Sequence, residues 1–118
     1  MNKTILIVDD NKRLRGTIRA LLEQEGLTVC GEAADGVEAI EKAKELKPDV
    51  VLLDLAMPKL NGAEAAPLIK QALPKVLVVV FTLHGEEAER LASALGFDVV
   101  LHKSDSLNHL VRRVQAYV

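Results

Sequence analysis

The stretch VVLLDLAMP, residues Val50 to Pro58, decides the fold and contains a single acidic residue. Four consecutive aliphatic residues precede Asp54, and Leu55 follows it. A short run that is apolar at every position is typical of a parallel strand buried on both faces. A carboxylate at the end of such a strand is costly to bury unless it has a partner or a function. Taken alone, Asp54 is more often a strand terminator than a nucleophile.

Similar apolar runs recur along the chain and alternate with helical patterns. We predict strands at Ile5–Val8, Val50–Leu53, Val76–Phe81 and Val99–Leu101, and a weaker one at Thr28–Cys30. Between these runs, apolar residues recur at the three- and four-residue spacing of amphipathic helices. This alternation predicts an α/β fold with a parallel sheet and right-handed crossovers, in one domain over residues 1–118.

Caps and helix breakers set the limits of the predicted helices. Gly26 is expected to end the first helix, and Asp35 and Glu38 have the spacing of a capping box at the start of the second. The third helix is expected to begin after Asn61, with Pro67 kinking it or shifting its start. In the fourth helix, over residues 86–95, the predicted inward positions are Ala88, Leu91, Ala92 and Leu95.

Composition argues against several classes of function. The chain has 118 residues, and its 15 basic and 17 acidic side chains give a formal charge of −2. That balance does not supply the basic face that nonspecific nucleic-acid binding needs. No run reaches the roughly 18 apolar residues of a membrane helix, and the single Cys30 cannot form an internal disulfide. We therefore expect a reduced, cytoplasmic location without a membrane partner.

Polar residues stand where four of the predicted strands end. Asp9 and Asp10 follow the first strand, and Asp54 follows the third. Thr82 and Lys103 stand at the ends of the fourth and fifth. In an open α/β sheet, ligands bind beyond these carboxyl ends. Each residue alone has an ordinary explanation as a cap, a strand residue or a surface charge, but their joint placement indicates a site.

The chemistry of this set suits phosphoryl transfer to a carboxylate. Three acids close together repel one another, and a hard divalent cation relieves the repulsion. An all-oxygen set without His or Cys fits Mg²⁺ better than zinc. Lys103 supplies a positive charge for an anionic group, and Thr82 supplies a hydrogen bond. A flavin or dinucleotide protein is disfavoured, because no glycine-rich phosphate-binding motif follows the first strand.

Four motifs and one further segment carry a family resemblance. In chain order the motifs are ILIVDDN (5–11), PDVVLLDLAMPKLNG (48–62), VVVFT (78–82) and LHK (101–103). Together they resemble the receiver domain of two-component response regulators over essentially the whole chain. The segment GEAADGVEAI (31–40) resembles receivers that usually precede a helix-turn-helix DNA-binding domain. The resemblance implies a CheY-like, flavodoxin-like three-layer sandwich with five parallel strands in the order 2-1-3-4-5 and five helices.

The resemblance also implies a role for each acidic residue. Asp54 would accept a phosphoryl group from a sensor histidine kinase or a phosphotransfer protein, as a step in a phosphorelay. Asp10 and Asp54 would bind Mg²⁺ directly, together with the carbonyl oxygen of Ala56. Asp9 would act mainly through a metal-bound water. The domain would be a signalling switch rather than an enzyme, since it catalyses only its own phosphotransfer and slow dephosphorylation.

Other residues would contact the phosphoryl group itself. By the same resemblance, Lys103 would pair first with the acids and then with the phosphoryl group. Thr82 would turn inward to donate a hydrogen bond to it. The backbone N–H groups of Ala56 and Leu83 would also donate to it. The loop that carries Pro58 and Gly62 would shape the approach.

Three positions depart from the family pattern. Leu83 stands where the family usually has a small residue, and its bulk is expected to crowd the phosphoryl group or limit access to it. Val100 stands where Tyr or Phe often acts as a rotamer switch. Ser104 follows Lys103 in place of a common cis proline, so a trans peptide bond is expected there. His84, beside the site, is expected to be an ordinary loop histidine.

Two other functions stay open at this point. One is a binding module that keeps the fold but works without phosphorylation, which the departures at Leu83 and Val100 favour. The other is an aspartyl phosphohydrolase, which is disfavoured because Ala56 holds the position where such enzymes commonly have a second acid.

The output surface is expected on the fourth helix, the fifth strand and the fifth helix. By resemblance, this face would bind a partner or a second copy of the chain, giving a homodimer. Arg90, Arg112 and Arg113 are candidates on it, although a solvated helix face is the favoured explanation. DNA would be bound only through an output domain that is absent from this sequence.

Overall fold

The computed structural model describes residues 3–57 and 60–118 of the chain. Within them, strands alternate with helices, which confirms the predicted order of elements. The strands are β1 (Thr4–Val8), β2 (Thr28–Ala33), β3 (Val50–Leu53), β4 (Leu77–Thr82) and β5 (Val99–His102). The helices are α1 (Lys12–Gln24), α2 (Gly36–Leu46), α3 (Gly62–Ala72), α4 (Gly85–Leu95) and α5 (Leu107–Gln115).

The strands form one parallel sheet in the order β2-β1-β3-β4-β5, which confirms the predicted topology. Because β1 lies between β2 and β3, the strand order reverses there, and this is the position where open α/β sheets bind ligands. Val8 at the end of β1 pairs with Leu53 at the end of β3. The residues that follow these two, Asp9 and Asp54, therefore leave the sheet side by side.

Both faces of the sheet are covered by helices, as the continuous apolar runs predict. On one face, Val8 and Leu53 belong to a core cluster with residues of α2, α3 and α4. On the other, Ile7 and Leu52 belong to a cluster with residues of α1 and α5. These four side chains are at most 2% exposed. Burying each one stabilises the fold by roughly 1.5–3 kcal/mol relative to exposure, so the three layers are held mainly by aliphatic packing.

The helix ends carry the predicted caps. Asp35 Oδ1 accepts a hydrogen bond from the N–H of Glu38 at 2.8 Å, and Glu38 Oε1 accepts one from the N–H of Ala34 at 2.9 Å. The side chain of Asn61 caps α3. Gly26 follows α1 with a φ of 81°, which glycine adopts without a steric cost.

Of the two effects expected of Pro67, a kink or a shifted start, the shift does not occur, because α3 begins at Gly62, directly after Asn61, and continues through the proline. The inward position predicted for Leu91 is wrong, since its side chain is 38% exposed. Leu91 lies about 60° around the helix from the fully buried Ala88, which places it at the margin of the buried face.

The helices are short compared with the thickness of a bilayer. The longest of them, α1, has 13 residues, whereas a membrane-spanning helix needs about 20. Over residues 3–57 and 60–118, no helix is both long and apolar enough to cross a membrane.

Candidate functional site

The acidic residues of the predicted site converge at the carboxyl edge of the sheet. The N–H of Asp9 donates to the carbonyl of Ala33 at 3.1 Å, and the N–H of Asp54 donates to the carbonyl of Val8 at 3.0 Å. The backbone hydrogen bonding of the sheet therefore continues for one residue beyond the ends of β1 and β3. Asp9, Asp10 and Asp54 each offer an oxygen atom, and these atoms lie within 4.8 Å of one another. Asp9 and Asp54 are buried, whereas Asp10 is exposed.

Lys103 is brought to the same place from β5. Its Nζ lies 2.9 Å from Asp9 Oδ2 and 3.3 Å from Asp54 Oδ2, and its side chain is only 15% exposed. Its backbone N–H donates to the carbonyl of Thr82 at 2.8 Å, which fixes the base of the side chain beside β4. The Nζ also lies 5.9 Å from the centre of the Phe81 ring. One ammonium group is thus shared by two buried carboxylates.

The electrostatics of the site are unbalanced towards negative charge. Burial raises the pKa of Asp54, and the neighbouring carboxylate of Asp9 raises it further, although Lys103 and the N–H of Ala56 oppose the rise. Burial is also the largest single influence on Lys103 and lowers its pKa. The ion pairs with Asp9 and Asp54 outweigh that influence, so the pKa of Lys103 is raised overall. One ammonium does not compensate three carboxylates, and an additional cation is therefore favoured.

The donor atoms of this cluster suit a hard divalent cation. Among the described residues, the acidic group Asp9, Asp10 and Asp54 offers only oxygen atoms, which Mg²⁺ prefers over the nitrogen and sulfur that zinc favours. The oxygens of Asp9 are engaged by Lys103 and by the N–H of Asn11. Asp10 is exposed at the solvent edge, and among the described residues no hydrogen bond or ion pair engages its carboxylate. The acidic cluster can therefore bind a metal ion.

Thr82 ends β4 and is fully buried. It pairs with His102 of β5 across the sheet. Its hydroxyl oxygen accepts a hydrogen bond from the backbone N–H of His84 at 3.1 Å. Among the hydrogen bonds of the described residues, none joins Thr82 to the acidic cluster. Thr82 therefore lies at the same edge of the sheet as the acidic cluster, but its hydroxyl is hydrogen-bonded to the loop that follows β4.

The two predicted backbone donors lie in different surroundings. Ala56 is exposed in the loop after β3, and its N–H lies close enough to the carboxylate of Asp54 to lower the pKa of that acid. Leu83 directly follows Thr82, and its side chain is 74% exposed. In this structure the leucine side chain extends into solvent and is covered by little of the protein.

The start of α3 packs directly on the backbone of the candidate acceptor. The N–H of Gly62 donates to the carbonyl of Leu55 at 3.0 Å. A side chain at Gly62 would collide with the carbonyl oxygen of Asp54, so glycine is required by the close approach. Pro58, which was expected to shape the approach to the site, lies outside the described residues.

The structure also describes Val100, Ser104 and His84, the other positions beside the family motifs. Val100 is half-buried and packs against the core cluster that includes α4. No cis peptide bond occurs in the described part of the chain, so the Lys103–Ser104 bond is trans, as predicted. His84 is exposed in the loop before α4, as expected.

The arginines of the expected output surface are dispersed over two helices. Arg90 is exposed on α4, Arg112 is exposed on α5, and Arg113 is half-buried on α5. Because exposed arginines on a helix are ordinary, their role in binding a partner stays a prediction.

One group beside the site, formed by Arg15, Arg19 and Glu32, is not predicted from the sequence. Arg15 Nη1 donates to the carbonyl oxygen of Asp9 at 2.7 Å, while its Nε lies 3.0 Å from Glu32 Oε1. Arg19 Nη1 lies 3.0 Å from Glu32 Oε2. The only signal in the sequence is a glutamate just beyond the weak apolar run that became β2. Because the apolar run alone predicts a strand that ends at Cys30, it does not place Glu32 on β2, which extends to Ala33.

The fold and the site together define a doubly wound α/β domain with an acidic, lysine-paired site where the strand order reverses. The sequence model of the family described as "Response regulator receiver domain" matches residues 5–115. The chain therefore belongs to the response regulator receiver domain family, which acts in two-component signalling.

Similarity to individual known proteins supports membership of the same family. The chain is similar to the "Chemotaxis protein CheY" of Thermotoga maritima, with 41% identity over 88 residues that cover 75% of this chain and 73% of that protein. It is similar to the structure of a LuxR-family two-component response regulator from Aurantimonas sp. SI85-9A1, with a TM-score of 0.91, 33% identity, and coverage of 99% of this chain and 85% of that one. The LuxR-family similarity fits the resemblance seen in residues 31–40.

A third similarity is to a chain of the CheX-CheY-BeF3-Mg+2 complex from Borrelia burgdorferi. Its TM-score is 0.90 at 27% identity, and the match covers 98% of this chain and 90% of that one. Other curated relatives are longer: the aligned part covers 54% of one and 27% of another. This chain thus spans about half or a quarter of the length of those relatives and corresponds to one part of them.

Proposed function

We propose that residues 1–118 form one receiver domain that works as a phosphorylation-dependent switch, with Asp54 as the phosphoryl acceptor. The observation that carries the proposal is an ion-pair geometry: Lys103 Nζ lies 3.3 Å from Asp54 Oδ2 and 2.9 Å from Asp9 Oδ2. A buried carboxylate with a raised pKa, a specific charge partner and a place at the ligand-binding edge is typical of a functional group. Family membership supports the same assignment.

The proposed reaction takes a phosphoryl group from a phosphohistidine on a sensor histidine kinase or a phosphotransfer protein. A carboxylate oxygen of Asp54 attacks phosphorus and forms a P–O bond. The P–N bond breaks, and its electron pair returns to the imidazole of the donor. Lys103 is placed to pair with a phosphoryl oxygen. The hydroxyl of Thr82 and the N–H groups of Ala56 and Leu83 are the proposed donors to the other oxygens.

We propose that Asp10, Asp54 and the carbonyl of Ala56 hold Mg²⁺, with Asp9 acting through water. When bound, the ion would neutralise charge that develops on the phosphoryl oxygens. The proximity of the three carboxylates and their all-oxygen character support this site. The similar Borrelia burgdorferi complex contains BeF3 and Mg+2, which supports the same metal here.

The proposed switch follows from the change in charge at Asp54. A phosphoryl group carries about −1.5 to −2 charges near neutral pH, so Lys103 would move from Asp9 towards it. Thr82 would leave the N–H of His84, and the change would reach the loop that leads into α4. We propose α4, β5 and α5 as the surface that then binds a partner or a second copy. In a longer protein with a LuxR-type output domain, DNA binding would be carried by that domain.

Phosphorylation of the purified domain tests the proposal. With Mg²⁺ and phosphoramidate, a small P–N donor, intact-mass spectrometry is expected to show one added phosphoryl group that mild base removes. Asp54→Asn is expected to show none. Asp105→Asn, which changes an exposed acid after β5, is expected to retain it. Phosphorylation of Asp54→Asn to the wild-type level would overturn the assignment.

A second candidate function is favoured by the setting of Val100. Its half-buried aliphatic side chain packs against the core cluster that includes α4, and it has no aromatic ring to act as a rotamer switch. The domain would then be a binding module whose output surface is the same with and without the phosphoryl group. Amide NMR spectra with and without beryllofluoride and Mg²⁺ separate the two functions. A switch predicts shifts that reach α4 and β5, whereas a module predicts shifts confined to the loops around Asp54.

A further inference from the structure

Arg15 joins three parts of the fold at the edge of the acidic site. It lies in α1, and its side chain is only 13% exposed. Its Nε lies 3.0 Å from Glu32 Oε1 on β2, and its Nη1 donates to the carbonyl oxygen of Asp9 at 2.7 Å. Arg19 holds the other oxygen of Glu32 at 3.0 Å. The guanidinium of Arg15 is therefore fixed by Glu32 and points at the loop that follows β1.

This contact completes the anchoring of Asp9. The N–H of Asp9 donates to the carbonyl of Ala33 at 3.1 Å. Its Oδ1 accepts a hydrogen bond from the N–H of Asn11 at 2.9 Å, and its Oδ2 accepts one from Lys103 at 2.9 Å. The carbonyl oxygen is the remaining polar atom of Asp9, and Arg15 is the side chain that holds it.

The carbonyl of Asp9 belongs to the peptide group that leads into Asp10. Because a peptide group is planar, the orientation of this carbonyl sets the direction in which the backbone of Asp10 leaves β1. Asp10 is exposed, so burial of its side chain does not hold it in place. The hydrogen bond from Arg15 therefore restrains the position of Asp10 from the backbone side.

We propose that Arg15 is a positioning residue that raises the affinity of the site for a divalent cation by holding the Asp9–Asp10 peptide group. This inference rests on the metal site proposed above. Charge alone predicts the opposite effect, because a cationic side chain close to the acids repels a bound cation. The sign of the change on removing Arg15 therefore separates positioning from charge.

The shape of the side chain provides a second distinction. The guanidinium is a planar fork that donates from several nitrogens at once, whereas lysine is a single point charge. Arg15→Lys keeps the charge but cannot hold both Glu32 and the Asp9 carbonyl in the same geometry. It is therefore expected to behave like Arg15→Gln in metal binding, which a role of charge alone does not predict.

The experiment is a titration of the intact chain with Mg²⁺, followed by amide NMR shifts of the loops around Asp10 and Asp54. Arg15→Gln and Arg15→Lys are each expected to raise the Mg²⁺ Kd by about tenfold, the lower end of the effect of losing a group that orients a metal ligand. The matched control is Arg19→Gln, which removes the other partner of Glu32 but leaves the Asp9 carbonyl bonded. It is expected to leave the Kd within about twofold.

Three results would overturn the inference. These are unchanged Mg²⁺ affinity in both Arg15 variants, tighter binding in Arg15→Gln, or an equal loss in Arg19→Gln. If Arg15→Gln proves unfolded by circular dichroism, Arg15→Lys and Glu32→Gln carry the test, since both loosen the same contact. A wild-type domain that does not bind Mg²⁺ would refute the proposed metal site and this inference with it. A wild type that binds Mg²⁺ normally while the Arg15 variants do too would refute the inference alone.

Discussion

Lys103 Nζ lies 2.9 Å from Asp9 Oδ2, although 94 positions separate the two residues in the sequence. Their strands are not neighbours, because β3 and β4 lie between β1 and β5. The lysine side chain therefore reaches across the edge of the sheet and passes Asp54, whose Oδ2 lies 3.3 Å from the same Nζ. The ammonium group of Lys103 is thus held beside Asp54, the candidate acceptor, by the two acids that follow β1 and β3.

Replacing Lys103 by Met keeps an unbranched side chain and removes the charge. The carboxylates of Asp9 and Asp54 would lose their shared cation while only 4% and 7% exposed. Removing one partner of a fully buried pair costs about 3–5 kcal/mol. Because the Lys103 side chain is 15% exposed and the site is partly solvated, we expect the unfolding free energy to fall by about 2 kcal/mol without Mg²⁺. Urea denaturation measures it. Lys75→Met, at an exposed position, is the control, and equal losses in the two variants would contradict the account.

Asp54→Asn is expected to stabilise the domain at neutral pH. Because burial and the charge of Asp9 raise the pKa of Asp54, the folded state binds this proton more tightly than the unfolded chain does. The contribution of Asp54 to stability is therefore fully present below its ordinary pKa of 3.8 and is lost as pH rises through the higher folded-state pKa. The melting temperature of Asp54→Asn should exceed that of wild type at pH 7, and the gap should narrow in acid. A lower melting temperature at pH 7 refutes this prediction.

Glu32 is expected to show the opposite pH dependence. Burial is the largest single influence on Glu32 and raises its pKa, but Arg19 and Arg15 outweigh it and hold the pKa below the ordinary value of 4.5. Its contribution to stability is present above that value and is lost as pH falls through the lower folded-state pKa. Glu32→Gln should lower the unfolding free energy at pH 7 by about 1 kcal/mol. The difference should vanish in acid, and a difference independent of pH would show that the ion pairs do not cause it.

Thr82→Val removes one hydroxyl from a fully buried side chain of nearly the same shape. If this hydroxyl donates to the phosphoryl group, its loss should weaken binding of beryllofluoride with Mg²⁺ by about threefold to tenfold, the value of one hydrogen bond. Thr82→Ser keeps the hydroxyl and should bind within about twofold of wild type. Equal affinity in all three proteins would exclude Thr82 as a donor.

Much of the fold follows from local signals in the sequence. Strands such as β1 and β3 are continuous apolar runs, because both of their faces are buried, and helices α2 and α3 carry side-chain caps at Asp35 and Asn61. The sequence pattern predicts the end of β2 at Cys30 instead of Ala33, because Gly31 and Glu32 interrupt the apolar run of this edge strand. The burial of Leu91 was overestimated because its spacing places it beside the core-facing stripe rather than within it.

The site was predictable to the extent that its residues directly follow strands. Asp9, Asp54 and Lys103 needed only the sheet topology to bring them together. The contact of Arg15 with the Asp9 carbonyl needed more, because it depends on the rotation of α1 and on the anchor from Glu32. A side chain that binds a backbone atom leaves no pairing signal in a single sequence.

The ¹⁹F NMR spectrum of the domain with beryllofluoride and Mg²⁺ tests the central claim most directly. We expect bound fluoride resonances in wild type, since beryllofluoride coordinates a carboxylate as a phosphoryl group does. We expect them to be absent in Asp54→Asn and retained in Asp105→Asn. Bound resonances that persist in Asp54→Asn, or that never form in a folded wild-type domain, would contradict the assignment of Asp54 as the phosphoryl acceptor.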